Sequence, residues 1–382
     1  MATIKEVARL AKVSVGTVSN VLSDSPRVSA GVRERVNAAI ATLDYHPNHI
    51  ARSLKTRQTK LLGMVMSDIT NPFFPQLTRG AEDAALKHGY LLVASNTDDQ
   101  FEREKIVLSV LRNRRVDGIL LVVAPSAEGS EHIERTVASG IPIVFLDRVP
   151  PGVRATSVAV DAVYGTEICI RHLTSMGHRK IGIITGNLEL RTAADRLQGY
   201  KNALGEANIE LDTSLIMEGD FRLESGYLLT KQLLLGRWRP TALFVSNCMM
   251  ALGALRALKE MAVRCPEDLA LAVFDELPGN GSFYPEVTAV VQPAYQVGYR
   301  GAELLIQQIE GAADGRYTEL RLKPELRIRE STLVRPHSRN NSLQDRFPDQ
   351  NETSGIAGQH GSDKRAGSRR RATKLTPHKD TP

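Results

Sequence analysis

The first 22 residues carry apolar side chains at helical spacing in two short runs. Ile4, Val7, Ala8 and Ala11 form one, and Val18, Val21 and Leu22 form the other, with Lys12, Val13 and Ser14 between them. Thr3 followed by Glu6 has the form of a capping box, in which each residue satisfies an orphan backbone donor, so a helix is predicted from about residue 4. Ser14 can cap a second helix. Off its apolar stripe that helix shows Gly16, Thr17, Ser19 and Asn20, small or polar residues that let backbone and side chains approach a groove. A third run starts at Ser29 and places Val32, Val36, Ile40 and Leu43 on one face. The pattern predicts a small all-α head of helix-turn-helix form, although any three-helix bundle shows such spacing.

From residue 61 the period changes. Short apolar runs at 61–66, 90–95, 118–123, 141–146 and 157–160 alternate with helical stretches such as 77–88 and 104–112. A second series follows at 180–185, 215–219, 242–246, 269–274 and 289–292. Continuous apolar strands alternating with amphipathic helices predict parallel sheets with right-handed crossovers. Two such series predict two α/β lobes facing one another. After residue 336 there is almost nothing apolar to bury, and a disordered tail is expected there.

Composition adds limits. With 382 residues, 42% hydrophobic and 24% charged, the chain has room for two or three domains with real cores. Residues 1–60 hold ten Lys or Arg against four acids, and residues 337–382 nine against five. With +6 overall, the middle is net −4. A basic head on a mildly acidic body suits a DNA reader tethered to a binder of small molecules. If a helix-turn-helix, its second helix meets base edges in the major groove, and Asn20 is the best candidate to pair bidentately with adenine. Three cysteines (169, 248 and 265) are odd in number, far apart and without Cys-x-x-Cys spacing, so neither a disulfide framework nor a zinc site is indicated, and a reducing cytoplasm is the simpler setting. No apolar leader and no run of eighteen apolar residues are found, so neither secretion nor a membrane span is expected. There is no P-loop lysine motif, no Gly-x-Ser-x-Gly elbow and no Gly-x-Gly-x-x-Gly opening a helix, and neither an enzyme nor a cofactor is expected.

The segment after the head reads Tyr45, His46, Pro47, Asn48, then Ile50, Ala51, Arg52, Ser53, Leu54, Lys55. With the head, it resembles the LacI/GalR family of bacterial transcription regulators, and the resemblance runs to about Pro336. It implies a multidomain chain: a helix-turn-helix head (1–47), a hinge helix and linker (48–60), a two-lobe periplasmic-binding-protein-like core with Rossmann-like sheets (61–336) and the tail (337–382). The N-lobe would take about 61–160 plus 293–322, and the C-lobe about 161–292 plus 323–336. DNA contacts are then expected from Thr3, Ser14, Val15, Gly16, Thr17, Ser19, Asn20 and Asn48. In the hinge, Leu54 takes the position of the minor-groove wedge, Ala51 lets two hinge helices cross closely, and Lys55 meets phosphate. A leucine packed on the core is the plainer alternative for Leu54. No leucine heptad ends the chain, so a homodimer on a pseudo-palindromic operator is expected.

The resemblance also places a small-molecule effector between the lobes, where strand C-terminal ends meet. Phe73 and Phe74 follow the first strand and either floor this cleft or plug the core. Asp147 and Arg148 end the fourth strand, and Asp275 follows the ninth directly. Arg196 sits where the family grips its effector; a surface ion pair with Asp195 or Glu189 is the bland alternative. Thr192, Phe221 and Asn247 complete the expected shell, Phe221 as a stacking face or a plain packing aromatic. An Arg and an Asp across a cleft suit a polyhydroxylated ligand, so a carbohydrate is expected, with a nucleobase as the alternative; the rival from another class is a plain sugar-binding protein without DNA control, which would require a signal peptide and no DNA head. The chain departs from the family at Cys248, where an acid usually follows the asparagine, and at Leu190 and Arg191, which replace the polar pattern of purine-type members. Both changes are expected near the cleft.

Overall fold

In the computed structural model, which describes residues 2–22, 25–45, 58–125, 129–150, 152–237, 239–282, 285–312 and 316–333, the head is three helices. They are α1 (Ile4–Leu10), α2 (Val15–Leu22) and α3 (Ala30–Thr42). The Glu6 carboxylate accepts from the Thr3 amide at 2.7 Å and from its hydroxyl at 3.0 Å. Ser14 Oγ accepts from the Thr17 amide at 3.1 Å and caps α2. The three helices close on Val7, Ala8, Ala11, Val18, Val21, Val36, Ala39 and Tyr45. The expected hinge residues Asn48, Ala51, Leu54 and Lys55, and the tail from His337, lie outside the described residues.

The core begins with β1 (Leu61–Met66), α4 (Phe73–Lys87), β2 (Leu91–Asn96), α5 (Phe101–Asn113), β3 (Gly118–Leu121), α6 (Glu131–Ala138), β4 (Ile143–Leu146) and β5 (Ser157–Val160). The same alternation then repeats. α7 (Ala162–Ser175), β6 (Ile181–Thr185), α8 (Arg191–Glu206), β7 (Ile216–Glu218), α9 (Leu223–Leu235), β8 (Ala242–Val245), α10 (Cys248–Glu260), β9 (Ala270–Phe274) and β10 (Thr288–Val291) build a second lobe. The chain returns to the N-lobe for α11 (Ala294–Ile309) and β11 (Glu319–Leu322), and ends in the C-lobe with β12 (Glu325–Arg327). Three connections therefore cross between lobes.

The two sheets have matching orders, β2-β1-β3-β4-β5-β11 and β7-β6-β8-β9-β10-β12. All pairings are parallel except β10 with β12. The central strands β3, β4, β6, β8 and β9 are buried along their whole length, because helices cover both faces. In each sheet the order in which strands are added reverses beside the first strand, at β1 and at β6, and the loops there open a crevice at the strand C-terminal ends. Helices α4 and α11 touch backbone to backbone: a Cβ on Gly298 would lie 1.8 Å from the Leu77 carbonyl oxygen. Behind that contact the N-lobe core of Leu62, Met64, Leu77, Leu120 and Leu146 is closed to solvent.

Candidate effector site

Equivalent strand ends of the two lobes supply the cleft. Asp147 is the first residue after β4 and Asp275 the first after β9, and both hold the left-handed backbone, at φ 62° and 87°. Asp99 after β2 and Phe221 after β7 do the same, at 57° and 66°. Aspartate tolerates this region, whereas for phenylalanine it is a strained choice costing about 1–3 kcal/mol, of the kind that collects at ligand sites. Gly186, just past β6, makes room for the ring: a Cβ there would lie 2.0 Å from Phe221 Cζ.

Arg196 is the centre of the C-lobe half. It is 5% exposed and donates from Nη1 to the Ser246 carbonyl. Its guanidinium lies 4.0 Å from the centre of the Phe274 ring and 5.7 Å from that of Phe221. Its Nε is buried without a hydrogen-bond partner, as is that of Arg148, which lies 3.6 Å from Asp147 Oδ2. Burial pulls the Arg196 pKa down, opposed by the charges of Asp275 and Asp147. Burial also raises both carboxylates above the usual range, and Arg148 and Arg196 oppose this at Asp147. At Asp275 the opposition comes from Arg196 and from a hydrogen bond donated by Gln292. These opposite charges stabilise each other in a site that would penalise any one of them alone.

The shell continues with Asp68, Asn71, Phe73, Phe74, Asp99 and Arg148 from the N-lobe, and Thr192, Asp220, Arg222, Asn247 and Gln292 from the C-lobe side, around a space of about 490 Å³ that includes its open mouth. Arg148 is 5% exposed and donates from Nη1 to Asp99 at 2.5 Å. Asn247 caps α10, accepting from the Met250 amide at 2.9 Å, and donates to the Phe221 carbonyl at 2.8 Å, which ties the strained loop down. Contacts that join the lobes among the described residues include Arg222 Nη2, which donates to the Asp98 carbonyl at 3.3 Å, the Cys248 thiol, which donates to Asn71 Oδ1 at 3.6 Å, and an ion pair of Arg321 with Asp195 at 3.8 Å. Among the described residues no cluster could hold a metal ion.

All eight residues expected in the effector shell line this one space. Phe73 and Phe74 do so from the first turn of α4, where Pro72 stands at the N-cap, and they meet edge to face at 5.2 Å. Arg196 does not make the surface ion pair; Arg191 does, with Asp195 at 3.6 Å. Arg191 is a correction to the expected map. It is 55% exposed and lines an outer groove with Arg154, Arg316 and Tyr317, because five positions along a helix turn the side chain away from Arg196. Leu190 is buried at 5% exposure and also stands outside the cleft lining. Cys248 does reach the lobe interface. Sequence reasoning did not assign Asp68, Asp99, Asp220, Arg222 or Gln292, and their only signal was a place just after a strand end.

In the head, Ser14, Val15, Gly16 and Asn20 are exposed along the start and outer face of α2; Thr17 and Ser19 are half-buried, and Thr3 is exposed at the start of α1. This face is presented by the helix that a helix-turn-helix inserts in a major groove.

The family pattern described as "Bacterial regulatory proteins, lacI family" matches residues 3–48, and that of the "Periplasmic binding protein-like domain" matches residues 170–332. The ribose operon repressor of Haemophilus influenzae is 38% identical over 331 residues, 87% of this chain and 98% of that protein. The HTH-type transcriptional repressor PurR of Vibrio atlanticus is 36% identical over 311 residues, 81% of this chain and 92% of its own length. Among solved structures, the lac repressor dimer bound to operator and the anti-inducer ONPF superposes with a TM-score of 0.77 at 29% identity, covering 87% of this chain and 99% of that one.

Proposed function

The chain belongs to the LacI family of bacterial regulatory proteins, and on that premise we propose that it is a homodimeric operator-binding repressor whose effector is a small neutral sugar of pentose size. Residues 1–47 read DNA, 48–60 link, and the lobes from residue 61 hold the effector. The observation that carries the sugar is the buried set of Arg196, Asp275 and Asp147 beside the Phe73 and Phe221 rings. Sugar hydroxyls both donate and accept, so carboxylates and guanidinium forks can each hold a vicinal pair, while rings cover the apolar face. The shell contains five aspartates and three arginines, a balance that disfavours phosphate and carboxylate ligands. The similarity to a ribose operon repressor points the same way.

Exposed apolar side chains support self-association. Leu91 and Val93 stand out from edge strand β2, with Ile106 and Val110 on the neighbouring helix, and Leu228 and Leu235 on α9 of the C-lobe. Such side chains on an edge strand ask for a cover. No described helix is long and apolar enough to cross a membrane; a chain that works on chromosomal DNA acts in the cytoplasm. Catalysis is not part of this reading.

The similarity to PurR keeps a purine as the second reading. Titration calorimetry with D-ribose, L-arabinose, D-glucose, ribose 5-phosphate, hypoxanthine and guanine separates them. Binding confined to a free pentose is expected. Tight binding of a purine, or of the phosphate in preference to ribose, overturns the sugar assignment.

A further inference from the structure

The junction between linker and core is held by one carboxylate. Asp117, the residue before β3, accepts from the Thr59 amide at 2.7 Å and the Thr59 hydroxyl at 2.8 Å on Oδ1, and from the Lys60 amide at 2.9 Å on Oδ2. The same hydroxyl proton is shared with the Arg115 carbonyl at 2.9 Å. Lys60 sits in the left-handed region at φ 55°, with its ammonium 3.9 Å from the centre of the buried Tyr90 ring and 3.9 Å from Glu310. Its carbonyl accepts from the Leu91 amide at 2.9 Å, so the turn is fixed on both sides. A three-bond carboxylate on two successive residues leaves them no freedom to rotate about the core.

The far end of the same helical strut is at the effector. α11 begins two residues after Gln292, which donates to Asp275 in the cleft, and ends one residue before Glu310, which meets Lys60. Its 16 residues span about 24 Å. It packs backbone to backbone on α4 through Gly298 and Gly80, so it moves with the N-lobe or not at all.

We propose that Asp117, with Thr59, is a positioning residue for allostery: it makes the linker turn with the N-lobe, so that cleft closure sensed at Gln292 and carried by α11 alters how the DNA-reading heads are presented. This rests on the effector reading given above. Coupling between sites needs an element that both ends bias. Here the biased element is the α11 strut together with its clamp, and cutting the clamp leaves both sites intact but unlinked.

The test uses the full-length dimer, with an operator selected by the wild-type protein from random-sequence DNA and D-ribose as the probe. In Asp117→Ala and in Thr59→Ala, D-ribose affinity is expected to stay within about twofold of wild type. The ratio of operator Kd with and without D-ribose is expected to fall toward one, and Thr59→Ser to restore it. Amide exchange at residues 59 and 60 of Asp117→Ala is expected to speed at least tenfold, a readout that needs neither ligand nor DNA. Wild-type ratios in both variants overturn the proposal. If D-ribose leaves wild-type operator affinity unchanged, the effector assignment falls instead. The clamp is then judged by exchange and by operator affinity alone, and unchanged values of both overturn it.

Discussion

Replacing Arg196 by Met removes the guanidinium while keeping most of the side-chain volume between Phe274 and Phe221. In the native site this group spends one donor on Ser246 and has a buried Nε with no partner, so donors remain for a ligand. A hydrogen bond to a charged group is worth about 1.5–3 kcal/mol, so losing two costs about 3–6 kcal/mol of binding. Part is recovered because Asp147 and Asp275, relieved of their counter-charge, protonate more readily and can then donate. A net loss near 3 kcal/mol, at least a hundredfold in Kd, is expected by calorimetry with D-ribose at pH 7. Arg191→Met, five positions earlier, removes only an exposed ion pair worth about 0–1 kcal/mol and should change Kd less than threefold. The free protein gives a second signature. Both carboxylates already lie above their unfolded values, and without Arg196 they lie higher still. Their stabilising contribution is present at low pH and is lost as pH rises through the folded pKa, so the melting temperature of Arg196→Met should fall with rising pH more steeply than that of wild type. Equal losses of affinity in Arg191→Met and Arg196→Met would refute this account of the site.

Gly186→Ala places a methyl on the Phe221 ring and should weaken D-ribose binding about tenfold, since the ring must swing from its seat; calorimetry reads it, and unchanged affinity removes Phe221 from the ligand face. His178 is 1% exposed and holds Thr241 through Nδ1 at 2.9 Å, and burial pushes its pKa to about 4, helped by His172. Its folded pKa is below the unfolded value, so its contribution is intact above about pH 6.5 and is lost as pH falls toward 4, by up to about 3 kcal/mol. In urea titrations His178→Gln should flatten that acid limb, and an unaltered limb would exonerate the histidine. Leu91→Glu with Leu228→Glu should shift the dimer to monomer in analytical ultracentrifugation, and a persistent dimer would move the interface elsewhere.

Much of the architecture was legible because parallel strands covered on both faces become continuous apolar runs. β1 and β5 lie where the pattern puts them, and the other eight strands read from it differ by one or two residues at their ends. β11 and β12 escaped the run-by-run reading. Glu319, Arg321, Glu325 and Arg327 alternate with apolar residues there, as edge strands with a solvated face do, and a charged alternation four residues long resembles any surface loop. The cleft was legible where a residue had an unusual neighbour: an acid directly after an apolar strand, as at Asp275, or two phenylalanines after a turn. Asp68, Asp99, Asp220 and Arg222 sit in polar loops, where sequence does not distinguish a side chain facing water from one facing a ligand. Arg191 and Arg196 share a helix and a residue type, and only the angle between them decides which one is buried.

The crossing connections carry a consequence for how the chain comes into being on the ribosome. The N-lobe sheet lacks its edge strand β11, and its face lacks α11, until residues 294–322 emerge. At about 5–20 residues per second, roughly 8–30 s separate the end of β5 from the end of β11. During that interval Leu77, Leu120 and Leu146 wait without the helix that covers them, while the lobe begun second gains every strand but the short β12. The first lobe to be started therefore stays unsealed until most of the second has been made, and the interval is a window in which a chaperone, or a second nascent copy, meets the apolar face first.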